Sequence, residues 1–569
     1  MRHRRRSSRG RTELAGAAAR GGDADADADA LALAAAIAAS ELNDGLLWPI
    51  ADTGAEREAS GGSTDASAPT GHGLGDNTRQ SDAAAEAPVP TGAGPGGTIR
   101  PKRDNPAAQR RARQHKGAHD APAASNSDKR EPRFGPPNAR VDPSAEHPSW
   151  RLVELPPAAE WAPTAFDGRA ASPILVLFRQ EMRLADHPAL HAAAATGRPV
   201  VPAFILPAPS EQGGWPLAGA AKLWLHHALN NLQHSLKAAY GSALVLRDGG
   251  GGGGGGGGLA ALVALAEDVG AGSVYWNMCY EPWVREADDA AASVLSGMGM
   301  QVRTFQGSTL YEPWAARPDE KASHLGFGSV GFFLHACRDV AAPPAPLPAP
   351  ARLRPPSFWP ASLPLRALRL SRMPRAPGAE SIDWGSGIRT FWAAGEAGAT
   401  EALDGFLADG VRRFADKNTR HRADGRNTAV ISPYLRFGEL SPRTVLHRAR
   451  AVLGERAPAA FLRKLAWRDL SYWALWRFPS LADEPFRPHY AGQAWGPDPG
   501  GELLSAWKAG RTGYPLVDAA MTQLWEVGWL PNYMRHVVAG FLVEFLNLDW
   551  RAGFAWFHET LVDADVAIK

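Results

Sequence analysis

The side chains best spaced to do chemistry lie in the C-terminal third of the chain, in five short stretches. In G-W-L-P-N-Y-M-R-H, Gly528 can end one helix and Pro531 can open the next in its first turn, so Asn532, Arg535 and His536 project from the new helix's opening turns. First-turn N–H groups lack partners and the helix dipole is positive there, which suits an anionic or hydrogen-bonding ligand. In L-A-W-R-D-L-S-Y-W, Trp467, Arg468, Tyr472 and Trp473 fall within two helical turns. A cation beside aromatic faces suits a splayed base or a flavin, and equally a plain aromatic core. Thr428 and Ser432 flank a turn before a helix, where hydroxyls and free N–H groups can hold a diphosphate or simply cap the helix. Arg511, Thr512 and Gly513 form a helix lead-in able to contact a phosphate backbone, and Asp563 and Asp565 follow an apolar run near the C-terminus.

The elements that must position these groups are helical. Leu516, Val517, Ala520, Met521, Leu524 and Trp525 recur with helical spacing after Pro515, and Met534, Val537, Val538, Phe541, Leu542, Phe545 and Leu546 repeat the pattern. Both stretches predict amphipathic helices. Upstream the pattern changes. I-L-V-L-F-R from Ile174 is a continuous apolar run typical of a buried parallel strand, and P-V-V-P-A-F-I-L, A-L-V-L-R-D, S-V-Y-W-N and Q-V-R-T-F follow with helical segments between them. A helix from Ala218 to Tyr240 carries Leu225, Leu229, Leu232 and Leu236 on one face. This alternation predicts an α/β domain over 172–310 with a doubly wound, five-stranded parallel sheet, then a connection over 311–380, Pro-rich from Ala341 to about Pro377, and an all-α domain over 381–569. The Gly249 to Gly258 run lacks a G-x-G-x-x-G pattern with a following acid and reads as a loop expansion.

Composition sets the outer limits. Residues 1–150 are dominated by Ala, Gly, Asp, Ser, Pro and Arg, bury too little apolar surface to offset ordering entropy, and are expected to be a disordered tail. All nine Tyr and both Cys lie beyond it. With 569 residues and a formal charge of +2, the chain is not globally basic, so a nucleic-acid surface must be a local patch. Cys279 and Cys337 alone make neither a disulfide framework nor a zinc site, and no metal is expected. No apolar run is long enough to span a membrane. The basic clusters between Arg100 and Lys116 resemble a bipartite nuclear import signal, while the Arg-rich start resembles a transit peptide, so the nucleus is expected and the chloroplast is the alternative.

Taken in order, S-P-Y-L-R-F-G-E-L-S, L-A-W-R-D, G-R-T-G-Y-P-L-V-D-A-A-M, G-W-x-x-N-x-x-R, F-L-V-E-x-L-x-x-D-W-R and L-V-D-A-D-V-A closely resemble the FAD-binding domain of the photolyase/cryptochrome family. F-R-Q-E-M-R-L-A-D-H-P-A-L and N-M-C-Y-E-P resemble that family's N-terminal signatures, so the likeness runs from about Pro173 to Lys569. The resemblance implies FAD in the helical domain, an antenna chromophore of folate or deazaflavin type in the α/β domain, and blue light as the energy source. Carried over, Thr428, Ala429, Val430, Ile431 and Ser432 would line the FAD phosphates; Arg468, Asn532 and Arg535 would approach the isoalloxazine; Asp563, Ala564 and Asp565 would meet its ring edge and ribose. Guanidinium groups suit an anionic reduced flavin, and carboxylates suit its N–H and hydroxyl groups. Trp495 and Trp550 match the outer and middle members of the family's electron chain.

The implied activity is light-driven repair of pyrimidine dimers, with Trp467 stacking on the lesion, Asn532 and Tyr533 near it, and Lys464, Arg468, Arg511 and Arg535 around the cavity mouth. The alternative is a cryptochrome-like photoreceptor. UV-damaged DNA is the partner under the first reading and a signalling protein under the second; a monomer is expected in both. Three departures bear on the choice. Lys464 stands where dimer-repairing members carry Glu, and Lys cannot accept a hydrogen bond from a thymine N–H. Ala429-Val430 replaces the phosphate loop's Ser-Arg. The segment with the inner Trp of the electron chain is absent, so the sequence resembles a C-terminally truncated member.

Overall fold

The computed structural model describes residues 172–250, 257–318, 326–327, 329–372, 382–414, 427–454, 459–486 and 488–568. The expected tail, its basic clusters, the middle of the glycine run, Gly425, Arg426 and Lys569 lie outside the described residues.

Five strands form one parallel sheet: β1 (Ile174–Phe178), β2 (Val200–Leu206), β3 (Val245–Asp248), β4 (Ser273–Asn277) and β5 (Gln301–Phe305), in the order β3-β2-β1-β4-β5. The helices between them are α1 (Pro188–Ala195), α2 (Gly219–Tyr240), α3 (Gly257–Asp268) and α4 (Pro282–Gly297). All five expected strands are present, and α2 buries Leu225, Leu229, Leu232 and Leu236 as its spacing requires. Alternation across β1 sends Leu175 and Leu177 to a core shared with Leu265 and Trp276, while Ile174, Val176 and Phe178 join a second core. That second core continues into the helical half and includes Trp224, Trp392, Tyr434, Leu524 and Leu542.

Between the sheet and the helical half, α5 (Val330–Arg338) packs Phe333 and Cys337 with Leu470 and Trp473. The Pro-rich stretch then runs along the sheet: Val200 N donates to Arg354 O at 2.8 Å and Leu363 N to Leu246 O at 3.1 Å. The helical half comprises α6 (Ser386–Phe391), α7 (Glu396–Gly405, extended by a π turn at Phe406–Gly410), α8 (Ser432–Arg436), α9 (Pro442–Leu453), α10 (Ala459–Arg477), α11 (Glu502–Lys508), α12 (Pro515–Val527), α13 (Asn532–Gly540) and α14 (Trp550–Thr560). Among the described residues no helix is long and apolar enough to cross a membrane.

Two helix expectations need correction. In α12 Val517, Ala520, Met521 and Leu524 are buried, but Leu516 and Trp525 are exposed, because the buried stripe is narrower than the apolar one; Trp525 stacks instead on Trp556 of α14 at 5.9 Å. The apolar series from Met534 is not one α-helix either. It changes to a π turn at Phe541–Phe545, which rotates Phe545 out to solvent. Gly528 ends α12 in the left-handed region with φ of 68°, as expected, whereas Pro531 is the residue before α13 rather than part of its first turn.

Candidate functional site

Two neighbouring assemblies are built on α10. The first is a buried node of charged and polar groups. Arg535, one turn into α13, donates through Nε to Leu530 O at 3.0 Å and through Nη2 to Asp563 Oδ2 at 2.7 Å. The second oxygen of Asp563, Oδ1, is buried with no hydrogen-bond partner. A buried unpaired acceptor is costly, so this oxygen marks a position where a ligand donor fits. Two residues on, Asp565 Oδ2 accepts the Tyr472 hydroxyl at 2.6 Å and Asp565 Oδ1 accepts Ala567 N at 2.9 Å. Arg436 of α8 donates Nε to Ala564 O at 2.8 Å and lies 3.9 Å from Glu281.

Arg468, one helical turn before Tyr472, has its guanidinium 4.8 Å from the Tyr472 ring. It donates to Ser308 O, to Ser308 Oγ at 3.2 Å and to Leu435 O at 3.4 Å. The neighbouring Asp469 uses Oδ2 to accept Leu310 N at 2.9 Å and Tyr311 N at 3.0 Å, while its Oδ1 is buried without a partner. Burial pushes the Asp469 carboxyl up to about 7 against the pull of Arg468, and burial pushes Glu312 up to about 7 as well. The W-R-D sequence thus clamps the loop leaving β5.

The phosphate-loop candidates divide by chemistry. Ile431 is buried, and Ala429 and Val430 pack against the main core, so only Thr428 and Ser432 offer side-chain oxygens. Ser432 does not cap α8: its Oγ accepts Trp529 Nε1 at 3.0 Å. Val430 takes φ of 48°, a left-handed conformation that is rare for a β-branched residue and concentrates at functional turns.

The second assembly is a cavity of about 820 Å³ on the other side of α10. Trp467, Trp473, Trp495, Trp550, Phe327 and Phe486 line it, and Ser471, Gln493, Glu484, Glu544, Asn547 and Tyr490 bring polar groups. Among the described residues no Lys, Arg or His lines it, and its aromatic faces suit an uncharged planar group.

A family model described as "FAD binding domain of DNA photolyase" matches residues 461–569, which hold all of α10 to α14 beyond its first two residues, and a model described as "DNA photolyase" matches residues 174–351. The chain belongs to the DNA photolyase family. The deoxyribodipyrimidine photo-lyase of Agrobacterium fabrum is 35% identical over 399 residues, covering 70% of this chain and 78% of that protein. Cryptochrome-2 of Arabidopsis thaliana is 32% identical over 407 residues, which is 69% of this chain and 63% of the cryptochrome. The crystal structure of a bacterial class III photolyase from Agrobacterium tumefaciens superposes with a TM-score of 0.62 at 34% identity, covering 71% of this chain and 79% of the other.

Within this photolyase-family chain the remaining candidates lie at the periphery. Lys464 and Asn532 are exposed, Tyr533 is half-buried, and none of the three lines the aromatic cavity. Arg511 is exposed, but the lead-in beside it offers no free donors for phosphate. Asp518 accepts Thr512 N at 2.7 Å, Thr512 Oγ1 at 2.6 Å and Gly513 N at 2.9 Å, which corrects the expectation for Thr512 and Gly513. Sequence reasoning missed Arg436, Tyr280 and Glu281 as site residues although the motifs containing them were visible. Tyr280 stands 5.6 Å from the Tyr472 ring and donates to Glu312 at 2.9 Å. Their signal was position within S-P-Y-L-R-F and N-M-C-Y-E-P, whose polar members face each other across the two halves.

Proposed function

We propose that the chain is an FAD-dependent DNA photolyase that uses blue light to repair UV-induced pyrimidine dimers. The observation that carries this reading is the pairing of a cavity lined by Trp467 with a buried acidic node that leaves Asp563 Oδ1 open. The node fits FAD. Thr428, Ser432, Arg535, Asp563 and Asp565 supply the hydroxyls, the cation and the carboxylates that its phosphates, ring edge and ribose need, with Ala429, Val430, Ile431 and Ala564 as the surrounding backbone. When bound and reduced, FAD supplies a light-activated electron for cleavage of the dimer.

The chain's own residues do the rest. Trp467 offers a face on which an extruded pyrimidine dimer stacks, and no described residue of the cavity lining is basic, which leaves the flanking phosphates to groups outside it. Exposed Lys464 and Arg511 are suited to hold those phosphates, with Asn532 and Tyr533 near the lesion. Lys464 cannot accept the thymine N–H, but Gln493, Asn547, Glu484 and Glu544 bring acceptors to the same cavity. Trp495 and Trp550 line it too and fit the outer and middle positions of an electron chain. A second cofactor, an antenna in the α/β half, completes the reading, as do a monomeric state and a nuclear destination from the basic clusters between Arg100 and Lys116, with the chloroplast as alternative.

Lys464 favours one second reading, a cryptochrome-like photoreceptor acting on a signalling protein. An absorption spectrum of the purified chain, then blue light with a UV-damaged oligonucleotide, separates the two. A flavin spectrum with loss of dimers is expected, and Trp467→Ala should lose affinity for damaged DNA. Photoreduction without repair, or unchanged affinity in the Trp467 variant, sinks the repair reading.

A further inference from the structure

The two acids of the Asp563-Ala564-Asp565 tripeptide are not equivalent. Both are buried, but Asp563 spends one oxygen on Arg535 and leaves the other unpartnered, whereas each oxygen of Asp565 already accepts one donor of the chain and meets a ligand hydroxyl only through its second lone pair. The segment after α14 has no regular structure of its own; Val562 N donates to Gly528 O at 2.9 Å and Val562 and Val566 are buried, and around the tripeptide side-chain ties add to these. The shortest of them is the Tyr472 hydroxyl on Asp565 at 2.6 Å.

We infer that Tyr472 is a positioning residue of the flavin site: its phenol fixes Asp565, and thereby holds the tripeptide so that Asp563 keeps its open oxygen toward the ligand. The inference rests on the FAD reading of this node. Tyr472 is built for the task. It is fully buried on α10, the Arg468 guanidinium lies 4.8 Å from its ring, and the Tyr280 ring meets it edge-on at 5.6 Å. Burial, and next the nearby Asp565, push the phenol well above its ordinary pKa, so it remains a donor. Arg436 holds the tripeptide's central carbonyl at 2.8 Å and stands 3.8 Å from Asp565 Oδ2, beyond hydrogen-bond reach, so the Tyr472 hydroxyl at 2.6 Å is the hydrogen bond that grips this oxygen. Ring and hydroxyl have separate parts: the ring fills the space under Arg468, and the hydroxyl acts only through Asp565.

That separation makes the role testable. Tyr472→Phe keeps the ring and removes the tie. FAD affinity is measured by fluorescence titration for the wild type, Tyr472→Phe, Asp565→Ala and the double variant, and amide hydrogen exchange at Ala567, whose N–H donates to Asp565, is followed without FAD. The expected results are FAD binding at least about tenfold weaker in Tyr472→Phe, the scale of one strong hydrogen bond, no further loss when it is added to Asp565→Ala, and faster exchange at Ala567. A packing role would instead give additive losses. Wild-type affinity in Tyr472→Phe, additive losses in the double variant, or unchanged exchange at Ala567 overturns the inference alone. A wild-type chain that takes up no FAD overturns the functional reading and the inference with it.

Discussion

Arg443 of α9 and Asp186, in the loop before α1, form a buried ion pair at 2.8 Å across the seam between the α/β and helical halves. Asp186 sits there with φ of 52°, its Oδ1 also accepts Leu347 N at 2.9 Å, and Arg183 holds its carbonyl at 2.7 Å while reaching Gly438 O at 2.7 Å. Charges out of water are tolerated when every one is paired, and removing one partner strands the other. Arg443→Ala should therefore cost about 3–5 kcal/mol in denaturant unfolding. A loss below about 1 kcal/mol, the level of an exposed pair, would show that the pair does not hold the seam.

The same seam sets a steric condition at Gly438. Its φ is 66°, and a Cβ added there would lie 1.8 Å from Gln180 O. Gly438→Ala should destabilise the chain by at least about 2 kcal/mol, part backbone strain and part displacement of the loop after β1. Urea unfolding of the variant measures this directly; a midpoint equal to the wild type would mean the two backbones do not approach so closely.

Asp469 carries a pH signature. Burial raises its carboxyl from the ordinary 3.8 to about 7. Between these values the folded state binds a proton that the unfolded state has released, so stability from this group is complete below about pH 4 and is lost as pH rises towards 7. Asp469→Asn keeps an acceptor for Leu310 N and Tyr311 N and removes the charge. Its melting temperature should exceed that of the wild type near neutral pH, and the two curves should converge in acid, with up to about 1.4 kcal/mol of difference per pH unit in the window. Parallel curves would mean that Asp469 titrates normally.

For Asp563 the open oxygen predicts a graded result. Asp563→Asn keeps an acceptor but weakens the tie to Arg535, and Asp563→Ala removes both. FAD content after gel filtration should fall in the order wild type, Asn, Ala; equal content in all three would detach Asp563 from the flavin.

Trp550 is half-buried at the 820 Å³ cavity and packs against Phe554 at 6.4 Å. Trp550→Phe should slow photoreduction of bound FAD while leaving FAD content unchanged. An unaltered rate on illumination removes Trp550 from the electron chain.

Much of this arrangement could be read before folding, and what could not has a common cause. The strands announced themselves because a parallel strand buried on both faces must be apolar throughout, as in Ile174–Phe178. The sheet order β3-β2-β1-β4-β5 had no such local signal. The short motifs named the polar residues, but partnerships such as Tyr472 with Asp565 or Arg535 with Asp563 join positions 93 and 28 residues apart, and only packing decides them. Helical spacing overstated the buried face of α12 because Leu516 and Trp525 are apolar without being core. Thr512 and Gly513 looked available to phosphate because nothing in the local pattern revealed that Asp518 would turn back to cap them.

One core runs from Val176 in the sheet through Trp224 and Tyr434 to Leu542, and Glu439 ties it together by accepting Trp224 Nε1 at 2.8 Å and Gly395 N at 2.7 Å. The two halves are therefore modules in the order of the chain but not in the way they can be exchanged. A chimaera that grafts another relative's α/β half onto this helical half inherits an ill-fitting joint unless Gln180, Asp186 and Trp224 are transferred with matching partners at Gly438, Arg443 and Glu439. Recombination within such a family is constrained less by where one domain ends than by which pairs must travel together.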